Sequence, residues 1–185
     1  MEVIETPLPG LFVLKPVRHG DARGFFSESW NRQRMDAAGL SYDFVQDNHS
    51  MSEKTGTLRG LHYQAPDKAQ AKLVRCGRGR FYDAVVDVRK GSPGYGKCFG
   101  IELSFENGLQ LIVPEGFLHG FVTLESQTEI IYKVTDVYSA AHDGAVHWDS
   151  CGIDWPVTGT PILSEKDAAA QTLADFDSPF TWDGS

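Results

Sequence analysis

The stretch Arg59-Gly60-Leu61-His62-Tyr63-Gln64 sets a guanidinium, an imidazole, a phenol and an amide within six residues, between segments dominated by apolar side chains. Positions 62 and 64 are two apart, so on a strand their side chains leave the same face. Lys72, His119 and Tyr132 add further polar groups on strand-like stretches downstream. An imidazole titrates at about pH 6.5 and suits the work of a general base, whereas a phenol, at about pH 10, keeps its proton. Any one of these groups has a plain structural reading as a hydrogen-bonded strand residue. Six of them (Arg59, His62, Gln64, Lys72, His119 and Tyr132) on core-like strands are harder to dismiss, because buried unpaired polar groups are costly. A cavity holding ligand or water accounts for them better.

The elements that must position these groups are short apolar runs broken by turn residues. Strands are expected over residues 11–17, 42–50, 57–64, 71–76, 80–88, 97–104, 109–114, 119–124 and 128–138, on alternation and on β-branched or aromatic content. GSPGYG (91–96) and ENG (106–108) supply turns. Two helices are expected: Trp30 to Ala38, stopped by Gly39, and Ser164 to Leu173, opened by a serine cap. Regularly spaced strands with few helices predict an all-β antiparallel sandwich or barrel of jelly-roll type, one domain over residues 1–185.

Composition narrows the function classes. The formal charge of -8 and the lack of a basic block argue against a nucleic-acid polymer as partner, though not against one bound nucleotide. Cys76, Cys98 and Cys151 are odd in number and far apart, with no zinc spacing, which reads as packed, reduced thiols in a cytoplasmic protein. The N-terminus shows no leader, and no run is long enough to span a membrane.

PEGFLH (114–119) has the form P-x-G-x-x-H, which resembles the second half-motif of the cupin jelly rolls. The first half would be LHYQ, where metal-binding cupins carry H-x-H. Gln64 replaces the second histidine, so the three or four ligands a divalent metal needs are not assembled. A cavity without metal or other cofactor is the expectation.

A longer series of motifs is more specific. DARGFFSESW, FVQDNHS, LRGLHYQ, AQAKLVRC, VVDVRKGSPGYGK, PEGFLHGFVTL, YKVTDVY, GIDWP and LSEKDAAA, in this order from about residue 21 to residue 170, together resemble the dTDP-4-dehydrorhamnose 3,5-epimerases. The resemblance implies a metal-free cupin, a homodimer, that inverts the carbons flanking a 4-keto group on a dTDP-linked 6-deoxyhexose. Such chemistry needs a base to remove a hydrogen beside the ketone and a partner for the enolate oxygen. By similarity to the family, His62 is the base, Asp167 the carboxylate that orients it, Tyr132 the acid on the opposite face, and Lys72 the cation at the oxygen. Arg23, Glu28, Gln46, Asp47, Asn48, Arg59, His119, Tyr138, Asp143 and Lys166 match substrate-contacting positions, with Tyr138 packing against the nucleotide. The resemblance also implies a strand swap that carries Arg23 and Glu28 into the neighbour's cavity.

Several readings stay open on the sequence. Asp167 lies three residues after Ser164, as in a helix capping box, so it has a structural role to set against the catalytic one. Ala71 stands where the family has glycine, and Asp143 where it generally has glutamate. Asp83 is either a second carboxylate behind the catalytic histidine or an inward polar residue with a cross-strand partner. His19, His49, His142 and His147 receive no catalytic role, with His19 and His142 expected near solvated turns. The quoted motifs do not separate a double epimerase from one acting at C3 or C5 alone. A metal-dependent cupin and a non-catalytic nucleotide-sugar-binding jelly roll are the other classes in play.

Overall fold

The computed structural model describes residues 1–184. Two antiparallel sheets face each other. The first runs in the order β1 (Glu2–Glu5), β2 (Phe12–Lys15), β10 (Gln110–Val113), β7 (Lys72–Arg78), β12 (Thr128–Val134), β5 (Gln46–Ser52). The second runs β13 (Asp143–Ala145), β6 (Leu58–Gln64), β11 (Phe117–Thr123), β8 (Arg80–Asp87), β9 (Cys98–Ser104). A separate hairpin, β3 (Arg18–Asp21) with β4 (Gly24–Ser27), stands outside both. This is the jelly-roll sandwich expected from the alternating sequence.

Period-two alternation sorts each strand between the inner layer and an outer face. Val74, Cys76, Phe81, Val85, Leu111, Phe117, Phe121 and Ile130 fill the space between the sheets. Their neighbours in sequence, such as Ala84, Val86, Leu118 and Val122, point the other way and are roofed by Val146, Trp155, Phe176 and Phe180 of the C-terminal segment. On the opposite outer face, Leu73 and Ile112 are covered by Met35 of helix α1 (Arg32–Ala37) and by Leu40.

Local chemistry explains where the expected elements were too long or absent. Helix α1 starts later than expected because Asn31 is the cap, its side chain accepting from Arg34 N–H. The second helix, α2, is one turn, Glu165–Ala168, rather than residues 164–173. After it Gln171 bridges Val146 and Leu173 N–H bonds Ser150 Oγ, so tertiary pairing overrides the helix propensity of the three alanines. Residues 42–45 do not join β5, because Tyr42 and Phe44 pack on the α1 side. Residues 135–138 leave β12 for side-chain hydrogen bonds described below. The 18–27 hairpin escaped the pattern because most of its side chains, Phe26 among them, are exposed.

Candidate active site

One irregularity creates the site. Register pairs His119 with His62 and Phe121 with Arg59, so Gly120 of β11 faces two residues of β6, Gly60 and Leu61. This β-bulge cancels the odd spacing between positions 59 and 62. Both then sit opposite inner-layer residues, while Leu61 turns outward into the roofed layer. The bulge requires glycine: Gly60 has φ of +118°, and a Cβ there would lie 2.6 Å from Gly120 Cα and 2.7 Å from His119 O.

The inner faces of β5, β6, β7 and β12 turn polar at one end of the sandwich and enclose a cavity of about 230 Å³. His62, Gln64, Lys72 and Tyr132 line it, with Gln46 and Asn48 on β5 and Tyr138, Asp143 and Lys166 at its rim. The expected base and acid therefore share one space. A larger cleft of about 570 Å³, bounded by Tyr42, the 66–71 loop and residues 179–183, has no histidine in its walls. The smaller cavity is the one with proton-transfer chemistry.

His62 is held from behind. Its Nε2 lies 2.6 Å from Asp167 Oδ1, and the Asp167 side chain is only 4 % exposed. That leaves Nδ1 as the nitrogen free of Asp167. Burial by itself would raise the Asp167 pKa, but His62, the Ser164 hydroxyl and the Gly60 N–H outweigh it and hold the carboxyl below its usual range. The two readings of Asp167 prove compatible. Its N–H bonds Ser164 Oγ at 3.1 Å while its carboxylate, instead of accepting the Ser164 N–H as in a capping box, turns to His62.

The Lys72 ammonium makes no hydrogen bond or ion pair among the described residues. Burial pushes its pKa down to about 8, opposed by the negative charges of Asp83 and Asp143. Tyr132 is pushed up by burial, against a lowering influence from Arg59, so its phenol is a proton holder at neutral pH. Of the two readings of Asp83 the cross-strand one holds: it bonds His119 Nε2 at 2.6 Å, not His62. His119 is itself buried rather than on the cavity wall, and burial, only partly offset by Asp83, lowers its pKa. The other Asp83 oxygen, Oδ2, is buried without a hydrogen-bond partner.

The remaining expected residues divide. Arg59 is tethered to β5 by 3.4 Å contacts with Ser52 Oγ and Met51 O. Asp143 accepts from Lys166 Nζ and from Tyr138 OH, so these three rim residues form one group despite the shorter acid at 143. Ala71 fits an ordinary backbone, exchanging bonds with Thr135 through its N–H and its carbonyl. Asp47 lies on the outer face of β5, paired with Lys133 at 2.9 Å, because alternation turns it away from Gln46 and Asn48. Arg23 and Glu28 are also outside the cavity. Arg23 is at the hairpin tip, its side chain 90 % exposed and paired with Asp21, and Glu28 pairs with Arg34.

His142 is half-buried and bonded to Ser139 Oγ rather than solvated, and Cys98 is exposed rather than packed. Gln70, a further lining residue, was missed by sequence reasoning. It stands two positions before Lys72, so alternation alone points to it. Among the described residues no cluster of three or more His, Cys, Asp or Glu could hold a metal ion, and no helix is long and apolar enough to cross a membrane.

Comparison with known proteins decides the family. The family model described as dTDP-4-dehydrorhamnose 3,5-epimerase matches residues 5–175. The chain belongs to the dTDP-4-dehydrorhamnose 3,5-epimerase family. The epimerase of Salmonella typhimurium is 49% identical over 176 residues, covering 94% of this chain and 96% of the relative. A crystal structure of the Bacillus anthracis epimerase with TDP and PPi bound is 47% identical with a TM-score of 0.90, covering 93% of this chain and 99% of that one. The Legionella pneumophila epimerase in complex with dTDP-4-keto-L-rhamnose is 40% identical with a TM-score of 0.93, covering 98% of both chains. The chain is thus an isomerase-type carbohydrate epimerase with a cupin-like jelly roll.

Proposed function

We propose that this epimerase inverts C3 and C5 of a dTDP-4-keto-6-deoxyhexose, with residues 1–185 serving as one catalytic domain. The observation that carries the reading is a carboxylate-backed imidazole and a half-buried phenol lining one cavity with an unpaired ammonium. The ligands in the two crystal structures above, TDP with PPi and dTDP-4-keto-L-rhamnose, support a dTDP-sugar as substrate.

His62 takes the proton from the carbon beside the ketone through Nδ1. The electron pair of that C–H bond moves into the ring and leaves its charge on the C4 oxygen, where the Lys72 ammonium stabilises it. Asp167, ionised at neutral pH, stabilises the imidazolium that His62 becomes. Collapse of the enolate draws the Tyr132 proton onto the opposite face of the same carbon, and inversion is complete. The ketone activates the carbon on its other side equally, so the same groups serve both centres once the ring rearranges, His62 has released its proton to solvent and Tyr132 has regained one from it. Arg59 and Lys166 supply cations for the diphosphate.

In this reading the epimerase acts as a homodimer in which the 18–27 hairpin delivers Arg23 and Glu28 to the neighbour's cavity. Phe25 and Phe26 on that hairpin are 45% and 71% exposed, apolar area that a second copy would cover. A monomeric mass in analytical ultracentrifugation would remove this part of the reading.

The direct test is proton NMR of dTDP-4-keto-6-deoxyglucose incubated with the protein in deuterium oxide. Deuterium at both C3 and C5 is expected, and none with His62→Ala. Label at one carbon only would leave a mono-epimerase, and full exchange without His62 would end this mechanism.

A further inference from the structure

Two glutamines hold the segment that carries Tyr138. Gln64 is buried, 6% exposed, and all three hydrogen bonds of its amide go to main chain. Its nitrogen donates to Lys68 O and, at 3.1 Å, to Val137 O, and its oxygen accepts Ser139 N–H at 2.8 Å. Gln46, on the other sheet but lining the same cavity, accepts Tyr138 N–H at 3.1 Å and donates to Asn48 Oδ1 at 2.9 Å. Three successive residues past the end of β12 are thus gripped from both sheets at once. The segment has no ladder partner to do this, since β12 ends at Val134. Gln70 and Lys68 extend the same attachment, bonding the carbonyl and the carboxylate of Asp136.

We propose that Gln64 and Gln46 are positioning residues that fix the Tyr138 ring over the cavity mouth and thereby set affinity for the nucleotide. The inference rests on the reading above in which Tyr138 packs against the nucleotide. Tyr138 is 60% exposed, and its one side-chain bond is to Asp143 at 3.2 Å, so its own packing does little to hold it. A side chain able only to fill space at position 64 would satisfy none of the three main-chain groups. The oxygen of Gln64, at the position where a metal-binding cupin has a ligand, is committed to Ser139. The residue contributes a brace in place of a ligand.

Gln64→Glu preserves size but cannot donate, and sets an anion against the carbonyls of Lys68 and Val137. Binding of dTDP by calorimetry and steady-state kinetics on the full chain give the readout. The Kd for dTDP and the KM are expected to rise about fivefold or more with kcat within about threefold, because bracing acts on ground-state binding. Gln46→Met, on the rim, carries the same expectation and serves if the charge at 64 prevents folding. In a Tyr138→Ala background either change should alter Kd by less than about twofold, because the ring being held is gone. If Tyr138→Ala itself leaves dTDP binding unchanged, the underlying reading of Tyr138 fails. If Tyr138→Ala weakens binding but the glutamine variants do not, or their effects add to it in full, the bracing role alone is overturned. A glutamine variant that only lowers the unfolding temperature, with wild-type Kd, also overturns it.

Discussion

Replacing Asp167 by asparagine separates two jobs that meet in one residue. The variant keeps the volume and the main-chain bond to Ser164 Oγ at 3.1 Å but removes the charge that lies 2.6 Å from His62 Nε2. A hydrogen bond to a charged group contributes about 1.5–3 kcal/mol, and here it is fully developed only once His62 has become an imidazolium. A loss of that size from the transition state lowers kcat by about 10- to 150-fold, at roughly 1.4 kcal/mol per factor of ten. The assay is the rate of solvent deuterium uptake at C3 and C5, read with dTDP affinity, which should not change. Ser164→Ala supplies the opposite dissection. It removes the cap, which costs about 1 kcal/mol and lowers the unfolding midpoint by about 2–4 °C in a chain of this length. Because the charge beside His62 stays, kcat should remain within about threefold. An Asp167→Asn protein with kcat within threefold of wild type would show that the carboxylate does not serve the imidazole. Equal damage from Ser164→Ala would assign both effects to helix geometry.

Lys72 gives the alkaline limb of the pH profile. It assists as a cation and its pKa is about 8, so kcat/KM should fall about tenfold per unit above that pH, and Lys72→Arg should carry this limb beyond the measurable range. A limb that stays near pH 8 in the arginine variant would assign it elsewhere. Gly60→Ala adds a Cβ 2.6 Å from Gly120 Cα at φ of +118°, whereas Gly24→Ala, at φ of +125°, meets nothing within 4 Å. Backbone strain of about 1–3 kcal/mol is common to both, and overpacking adds about 1–3 kcal/mol at position 60 alone. Urea unfolding should rank them accordingly, and equal losses would refute the close approach at the bulge.

Much of this site was legible in the sequence because strands alternate. His62, Gln64, Lys72 and Tyr132 were expected in one cavity and are found there, and the order of the motifs led to the family. What was misread or left open comes, Asp47 apart, from contacts that no period records. Asp47 was carried in with Gln46 and Asn48 as a block, although alternation turns it outward to Lys133. Asp83 stayed open between two readings because only the pairing of β8 with β11 decides its partner. Residues 135–138 read as strand because their side chains alternate, but past Thr135 their main-chain groups are met by the side chains of Gln70, Asp136, Gln64 and Gln46. The bulge at Gly60 leaves no trace in composition beyond a glycine, yet it permits Arg59 and His62 to face the same side.

His62 belongs to one sheet and Tyr132 to the other, so in the proposed reaction the space a sugar ring must fill between base and acid is set by the thickness of the sandwich, about 10 Å between packed sheets. That thickness is set further along the layer by side chains such as Phe81 and Phe121, whose rings meet 5.5 Å apart. The hydrophobic filling is therefore a spacer gauge for the reaction as well as a source of stability. Trimming one of those rings lets the walls settle together and changes the reach between base and acid, although every group that touches sugar is left as it was.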